Sequence, residues 1–305
     1  MSDETARPDP TVIGEVAAPP FARLPDPHQI FIDRALRLRA LAPSIEIGPY
    51  LRFLSDLAEM QYRIQDDLPE PVLPDAPTLA RARTHGMPPL DRAGFKPDAA
   101  FAATFDRFIA AAEEIAMPPA AAEALGRVRA ASRAQGESML RAVLATSVPA
   151  EALAEHAFMA AALQVHFARL AARLDAAALG PVGNGACPCC GGPPVSTMVV
   201  GWRGMHGIRF CACSLCGTYW HQVRIQCVLC GSTKGIGYQE VEGGGGTVKA
   251  ETCDGCHRYV KVLYQVRQTD LEPVADDAAS LGLDLLMQQQ GEYERGGFNP
   301  FLLGT

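Results

Sequence analysis

The chain has 305 residues, 48% of them hydrophobic, a size that suits one large domain or two ordinary ones and allows a real core. Its formal net charge of -7 argues against a nucleic-acid binder. The opening MSDETARPDP lacks the basic start and apolar run of a secretory signal, and no stretch reaches the ~20 apolar residues that span a bilayer, so a soluble cytoplasmic protein is expected.

Residues 1–26 are rich in Pro and small residues and read as a loose arm. Residues 27–180 read as an all-α domain. Apolar residues recur three and four apart: Ile30, Phe31, Ala35, Leu36 and Leu38 in one segment, Tyr50, Leu51, Phe53, Leu54, Leu57 and Met60 in the next. Ser44 is the candidate cap of the second. DLPEPVLPDAP interrupts the pattern. Further helices are predicted over 98–116, 119–134, 137–146 and 149–178, with Pro118, Pro119 and Pro149 at their ends. These apolar stripes are read as core.

GPVGNGA, residues 180–186, is a turn or linker. Beyond it Gly, Val, Tyr and Trp replace Ala and Leu. YWHQVRIQ and YVKVLYQV read as strands, 274–289 as a helix, and the tail GEYERGGFNPFLLGT as irregular. The fold class is therefore α+β. An all-α helical domain precedes two tandem four-cysteine units, 181–226 and 227–272, and a C-terminal helix with its tail, 273–305.

All ten cysteines lie between Cys187 and Cys256. Such clustering without an export signal points to metal binding rather than to disulfides. Eight of them form C-x-x-C pairs: Cys187/Cys190, Cys213/Cys216, Cys227/Cys230 and Cys253/Cys256. A shift of 40 carries the first pair onto the third and the second onto the fourth. The same shift carries Gly191 onto Gly231 and Tyr219 onto Tyr259. The segment is read as a duplicated unit, C-x2-C-x22-C-x2-C followed by a strand. Two such turns facing each other make a tetrahedral four-sulfur site for zinc or mononuclear iron. The duplication favours pairing the first turn with the second and the third with the fourth, because each copy is then a complete site. Two metal ions per chain are expected.

Cys253, Cys256 and His257 also spell C-x-x-C-H, the spacing of covalent c-type haem. The repeat already accounts for both cysteines, and Gly217 occupies the histidine's place in the first copy, so no haem is expected. Cys189 and Cys211 lie outside the repeat. Cys189 is an alternative ligand or a reactive thiol, weighed against a small semi-buried residue. His206 and His221 flank the second turn, where a surface or supporting role is expected. Trp202, Tyr219 and Trp220 offer an aromatic partner surface or a small core, with core favoured for at least one tryptophan. EGGGGT, 242–247, reads as a hairpin tip and lacks the setting of a phosphate loop. Asp276 and Asp277 are assigned to a helix dipole. No GxSxG, HExxH or comparable catalytic constellation is present.

Three function classes follow. A nucleic-acid-binding ribbon is disfavoured, because the cysteine segment carries five basic residues against four acidic ones. An electron carrier has no need of so large a helical region. A protein-binding module with structural metals explains both the helices and the acidic balance.

CPCCGGPPVSTMV, CSLCGTYWHQVRIQCVLC, KAETCDGCHRYVKVLYQ, PVADDAASLGLDLLM and NPFLL together resemble the formate dehydrogenase accessory protein family, FdhE. RALRLRALAPSIEIGPYLRFLSDLAEMQ resembles that family's opening helices. The resemblance covers about 28–305 and is most specific in the last third. It implies a helical domain followed by two rubredoxin-like domains, with Cys187, Cys190, Cys213, Cys216, Cys227, Cys230, Cys253 and Cys256 as metal ligands. It also implies a cytoplasmic maturation factor, without enzymatic turnover of its own, that binds the catalytic subunit of formate dehydrogenases. Iron is the metal the resemblance implies, with zinc as the alternative.

Overall fold

A computed structural model describes residues 19–302. Of the arm expected over 1–26, residues 1–18 lie outside the described residues. The rest is not loose: Ala22–Arg23 (β1) pairs with Trp220 and Tyr219, and Asp26 caps the helix that follows.

The helical region begins with Pro27–Leu41 (α1) and Gly48–Arg63 (α2), packed against each other. Ser44 does not cap α2. It ends a 3-10 turn, Ala42–Ser44, and Pro49 sets the first turn of α2 instead. At the end of the Pro-rich interruption begins one helix that periodicity did not reveal, Ala76–Thr84 (α3). Its start is marked by Asp75, which accepts a hydrogen bond from the Thr78 amide, and by Pro77. Then come Ala99–Ala112 (α4), Pro119–Ala130 (α5), Arg133–Ala145 (α6) and Leu153–Ala171 (α7). Helix α7 is buried on almost every side, which makes it the central helix that α2, α4, α5 and α6 surround.

The sheet contains Pro194–Val199 (β2), Arg209–Cys213 (β3), Tyr219–His221 (β4), Ile236–Gln239 (β5), Val248–Cys253 (β6) and Arg258–Tyr264 (β7). The strand expected over YWHQVRIQ is short. After His221 the chain turns off, leaving Val223 and Ile225 exposed. The 40-residue shift maps β2, β3 and β4 onto β5, β6 and β7, so the duplication is one of structure as well as sequence. Helices Pro273–Ala279 (α8) and Leu281–Gln290 (α9), with the short strand Glu294–Arg295 (β8), close the described chain.

The two copies do not stand apart. Strands run in the order β1-β4-β3-β2-β7-β6-β5, and β2 pairs in parallel with β7 at Thr197↔Val262 and Met198↔Leu263. The core also crosses the 180–186 segment: Phe101, Leu140, Leu163 and Phe167 form one apolar cluster with Cys187, Cys190, Cys211, Cys216 and Trp220. The observed architecture is thus a helical bundle and a two-copy sheet sharing a core. Trp220 is buried, as expected of one tryptophan, while Trp202 is half-buried against Phe210 and Tyr219.

Buried ion pairs join the ends of the chain. Arg34 and Arg37 on α1 reach Glu272 and Asp276 across about 240 residues of sequence. Asp277 and Asp284 surround the fully buried Lys261 of β7, and Arg295 bonds both carboxylates. Asn299 donates to the Val274 carbonyl and to Asp277. Asp276 and Asp277 therefore hold charge pairs in the core rather than complement a helix dipole.

Candidate metal centres

Each four-cysteine group converges as the sequential pairing expects. Cys187, Cys190, Cys213 and Cys216 form one cluster, and Cys227, Cys230, Cys253 and Cys256 the other, with all four sulfurs of each within 4.8 Å of one another. Sγ···Sγ distances are 3.6 Å (Cys187–Cys216) and 3.5 Å (Cys190–Cys213) in the first, and 3.8 Å (Cys227–Cys256) and 3.7 Å (Cys230–Cys253) in the second. A tetrahedron with metal–sulfur arms of about 2.3 Å has edges of about 3.8 Å, so both clusters have the size of a thiolate cage. The donor set suits zinc or mononuclear iron equally.

The local fold explains the convergence. The Gly191 amide donates to the Cys187 carbonyl at 2.8 Å and the Cys187 amide to the Gly192 carbonyl at 2.8 Å. In the second copy Gly231 donates to Cys227 at 3.0 Å and Cys227 to Ser232 at 2.8 Å. Gly191, Gly217 and Gly231 have φ of 73°, 71° and 79°, left-handed values that close each turn. Backbone amides also approach sulfur: Gly192 to Cys190, and Leu215 and Cys216 to Cys213, each at 3.4 Å.

His257 completes this pattern. It holds φ 51°, the same left-handed position as Gly217 in the first copy, and its amide donates to the Cys253 carbonyl at 2.9 Å. A side chain fits there because His257 is exposed, its imidazole lying against the Tyr293 ring at 6.4 Å between centroids. At Gly217 a Cβ would stand 2.8 Å from Ile30 of α1. The histidine after Cys256 is thus the backbone-turn residue of the repeat.

The two clusters differ in surroundings. All four cysteines of the first are buried. In the second, Cys230 is exposed and Cys256 half-buried. Helical-region residues cover the first cluster: Pro88 stands 3.1 Å from where a Gly191 Cβ would be, and the Leu90 and Arg92 amides donate to the Cys189 and Cys190 carbonyls at 2.8 and 3.2 Å. Cys189 is a fifth buried sulfur beside the first cluster. The Thr218 hydroxyl lies 3.2 Å from both Cys189 Sγ and Cys216 Sγ. Cys211 is fully buried between Thr197 and Trp220, and burial pushes its thiol up to about 12, the mark of an inert packing residue. His206 is exposed and His221 half-buried against Phe210; neither belongs to a cluster. Sequence reasoning missed Thr218 and the 87–92 segment, whose contributions are one hydroxyl and two backbone amides.

Known proteins bear out this architecture. Family models match along the described chain: "FdhE, N-terminal" over residues 19–184, "FdhE, central domain" over 186–224 and "FdhE, C-terminal domain" over 225–302. A protein FdhE homolog of Rhizobium meliloti (strain 1021) is 47% identical over 308 residues, covering 100% of both chains. The chain belongs to the FdhE family. An FdhE homolog of Cronobacter sakazakii is 35% identical and covers 92% of this chain and 90% of its own. The crystal structure of the FdhE protein from Pseudomonas aeruginosa superposes with a TM-score of 0.81 at 32% identity, over 93% of this chain and 99% of that one. FdhE membership thus spans helices, both sulfur clusters and the closing α8–α9 segment. No described helix is long and apolar enough to cross a membrane.

Proposed function

We propose that this chain is a cytoplasmic accessory factor that binds the catalytic subunit of a formate dehydrogenase and is required for its activity, without turning over formate itself. The observation that carries the reading is the full-length FdhE match, joined to a structure with two four-cysteine cages, the first of which shares its core with the helices. In this reading the eight clustered cysteines, Cys187 to Cys256, are the ligands of two metal ions. The ions are iron by family resemblance, with zinc as the alternative. A four-thiolate ion supplies a cross-link that folding can rest on. The helical part 27–180 and the two cysteine units 181–226 and 227–272 then act as one platform, locked by 273–302.

Deleting the gene should abolish formate dehydrogenase activity, and the purified chain should capture the catalytic subunit. Full activity in the deletion strain and no capture would overturn the reading. A visible spectrum of protein purified without added metal separates the ions: thiolate-to-iron bands for iron, no colour for zinc. The exposure of Cys230 favours a second reading, a redox role for the second cluster. It would be supported by Cys230→Ser protein that still binds the client and fails to activate it.

A further inference from the structure

Cys189 makes the first cluster a group of five buried sulfurs. Its thiol has no solvent exposure and lies against the cage sulfurs of Cys187 and Cys216. The Thr218 hydroxyl, also without exposure, stands 3.2 Å from both Cys189 Sγ and Cys216 Sγ. Elsewhere the cage is closed. The Gly192 backbone sits beside the other two ligands, and a Cβ on it would be 3.2 Å from Cys190 Sγ and 3.3 Å from Cys213 Sγ. A fifth sulfur therefore has its approach beside Cys187 and Cys216, not beside Cys190 and Cys213.

The second copy shows that the turn itself does not require this sulfur. The shift of 40 carries Cys189 onto Leu229 and Thr218 onto Arg258, while every cage cysteine is kept. Leu229 packs on the apolar core at that place, and the cage around it closes with the same backbone bonds. What the first copy adds is a thiol joined to one of the ligands through a shared hydroxyl.

Resting on the reading that the cages hold metal, we propose that Cys189 is an exchange ligand of the first cluster, able to take the place of Cys216. At rest Cys216 is a bound thiolate, the Thr218 hydroxyl donates to it, and the Cys189 thiol donates to the Thr218 oxygen. In the exchange two protons each move one place. The Cys189 proton passes to the Thr218 oxygen, and the Thr218 proton passes to the Cys216 sulfur. Cys216 leaves as a neutral thiol and Cys189 enters as a thiolate. One metal–sulfur bond breaks and one forms, no electron is transferred, and the set still counts four thiolates. The cluster that shares its core with the helices thus carries a spare ligand, and the second cluster does not.

The test is cobalt loading of the full chain, with ions counted by native mass spectrometry and thiolates by the intensity of the thiolate-to-metal bands. Cys216→Ser and Cys216→Ala should each keep both ions, with four thiolates at the first cluster. Cobalt affinity there should fall about 10-fold, the order of losing one supporting hydrogen bond. Adding Cys189→Ala to either should remove the first ion, whereas Cys189→Ala alone should keep both. Cys256→Ser, the matching change in the second copy, should leave its cluster with at most three thiolates, because Leu229 cannot ligate. The exchange is overturned if both Cys216 variants lose the first ion, hold it by three thiolates or fail to fold. It is equally overturned if adding Cys189→Ala to them changes nothing. In each of these cases Cys189 is a packing residue and the metal reading stands. An unaltered chain that takes up no cobalt at the first cluster overturns both.

Discussion

The two sulfur clusters are copies of one chain unit set in opposite surroundings. In both, ligand pairs 29 and 23 residues apart come together, and the same backbone bonds close the same turns. Yet α1 and the 87–92 segment bury the first, while the second keeps Cys230 at the surface. Duplication copies the cage and leaves its environment to whatever packs on it. The first copy serves as part of the helical core, the second as a part held mainly from its own side of the sheet.

The largest expected effect breaks this comparison most directly. The first cluster shares a core with Phe101, Leu140 and Phe167. A structural four-ligand zinc contributes about 10–16 kcal/mol of apparent binding energy, comparable to or above the ~5–15 kcal/mol stability of a whole domain. Cys187→Ser with Cys190→Ser should therefore unfold the helices together with the first unit, seen as collapse of the far-ultraviolet signal. Cys227→Ser with Cys230→Ser should remove one ion and leave most of that signal. A chelator should strip the second ion first. Survival of the helices in the first double variant would mean that the shared core is not cooperative.

The second copy has its own anchor. Lys261 on β7 is buried beside Asp277 and Asp284, with Arg295 on the same carboxylates, and burial pushes the lysine's pKa down while both aspartates oppose it. Lys261→Met leaves the two carboxylates with Arg295 as their one remaining cation among the described residues, beside the donors Asn299 and Tyr259. Breaking a buried pair in this way costs about 3–5 kcal/mol. The denaturation midpoint should fall accordingly, with the second ion lost more readily than the first. An unchanged midpoint would show that Arg295 suffices.

Acid should act on the other side, where the helices cover the first cluster. Burial pushes His166 down to about 4, with nearby Asp98 opposing and Arg169 adding to the shift. Between that value and about 6.5 the unfolded chain takes up a proton that the folded chain refuses, so stability falls as pH falls through this window. The loss is complete below about pH 4 and amounts to about 3 kcal/mol. His166→Phe should flatten the pH dependence relative to the unaltered chain. Parallel curves for the two proteins would refute the buried neutral histidine.

Much of this was legible in the sequence, because local rules govern it. Cysteine spacing and the 40-residue shift named both clusters and their pairing, since a C-x-x-C turn needs only its own residues and a following residue that takes a left-handed φ. Helix periodicity found α1, α2 and α4 to α7. What stayed hidden depends on distant partners. Asp276 and Asp277 look like surface acids until Arg37 and Lys261 are seen beside them. The cover over the first cluster comes from Ile30 and Pro88, about a hundred residues or more upstream of the cysteines. Helix α3 is short and largely exposed, so it has no apolar stripe, and only Asp75 and Pro77 announce it.

The smallest effect tests the comparison at one hydroxyl. Thr218 lies 3.2 Å from Cys216 Sγ and from Cys189 Sγ. A metal-bound Cys216 is a thiolate and has no proton to give, so Thr218 must donate to it. Cys189, still a thiol, can then donate to the Thr218 oxygen. The shift of 40 places Arg258 and Leu229 at these positions in the second copy, where neither hydroxyl nor thiol exists. Hydrogen bonds from outside the ligand set tune a metal's hold, and one such bond is worth about 1 kcal/mol, or roughly fivefold in an equilibrium constant. Thr218→Val keeps the shape and removes the donor. In the cobalt-substituted protein, one of the two sets of thiolate-to-metal bands should shift, and the metal of the first cluster should leave about fivefold faster. Cys189→Ala should produce a weaker change of the same sign. If both clusters respond alike to Thr218→Val, or neither does, the hydroxyl does not distinguish the two copies, and their difference lies in burial alone.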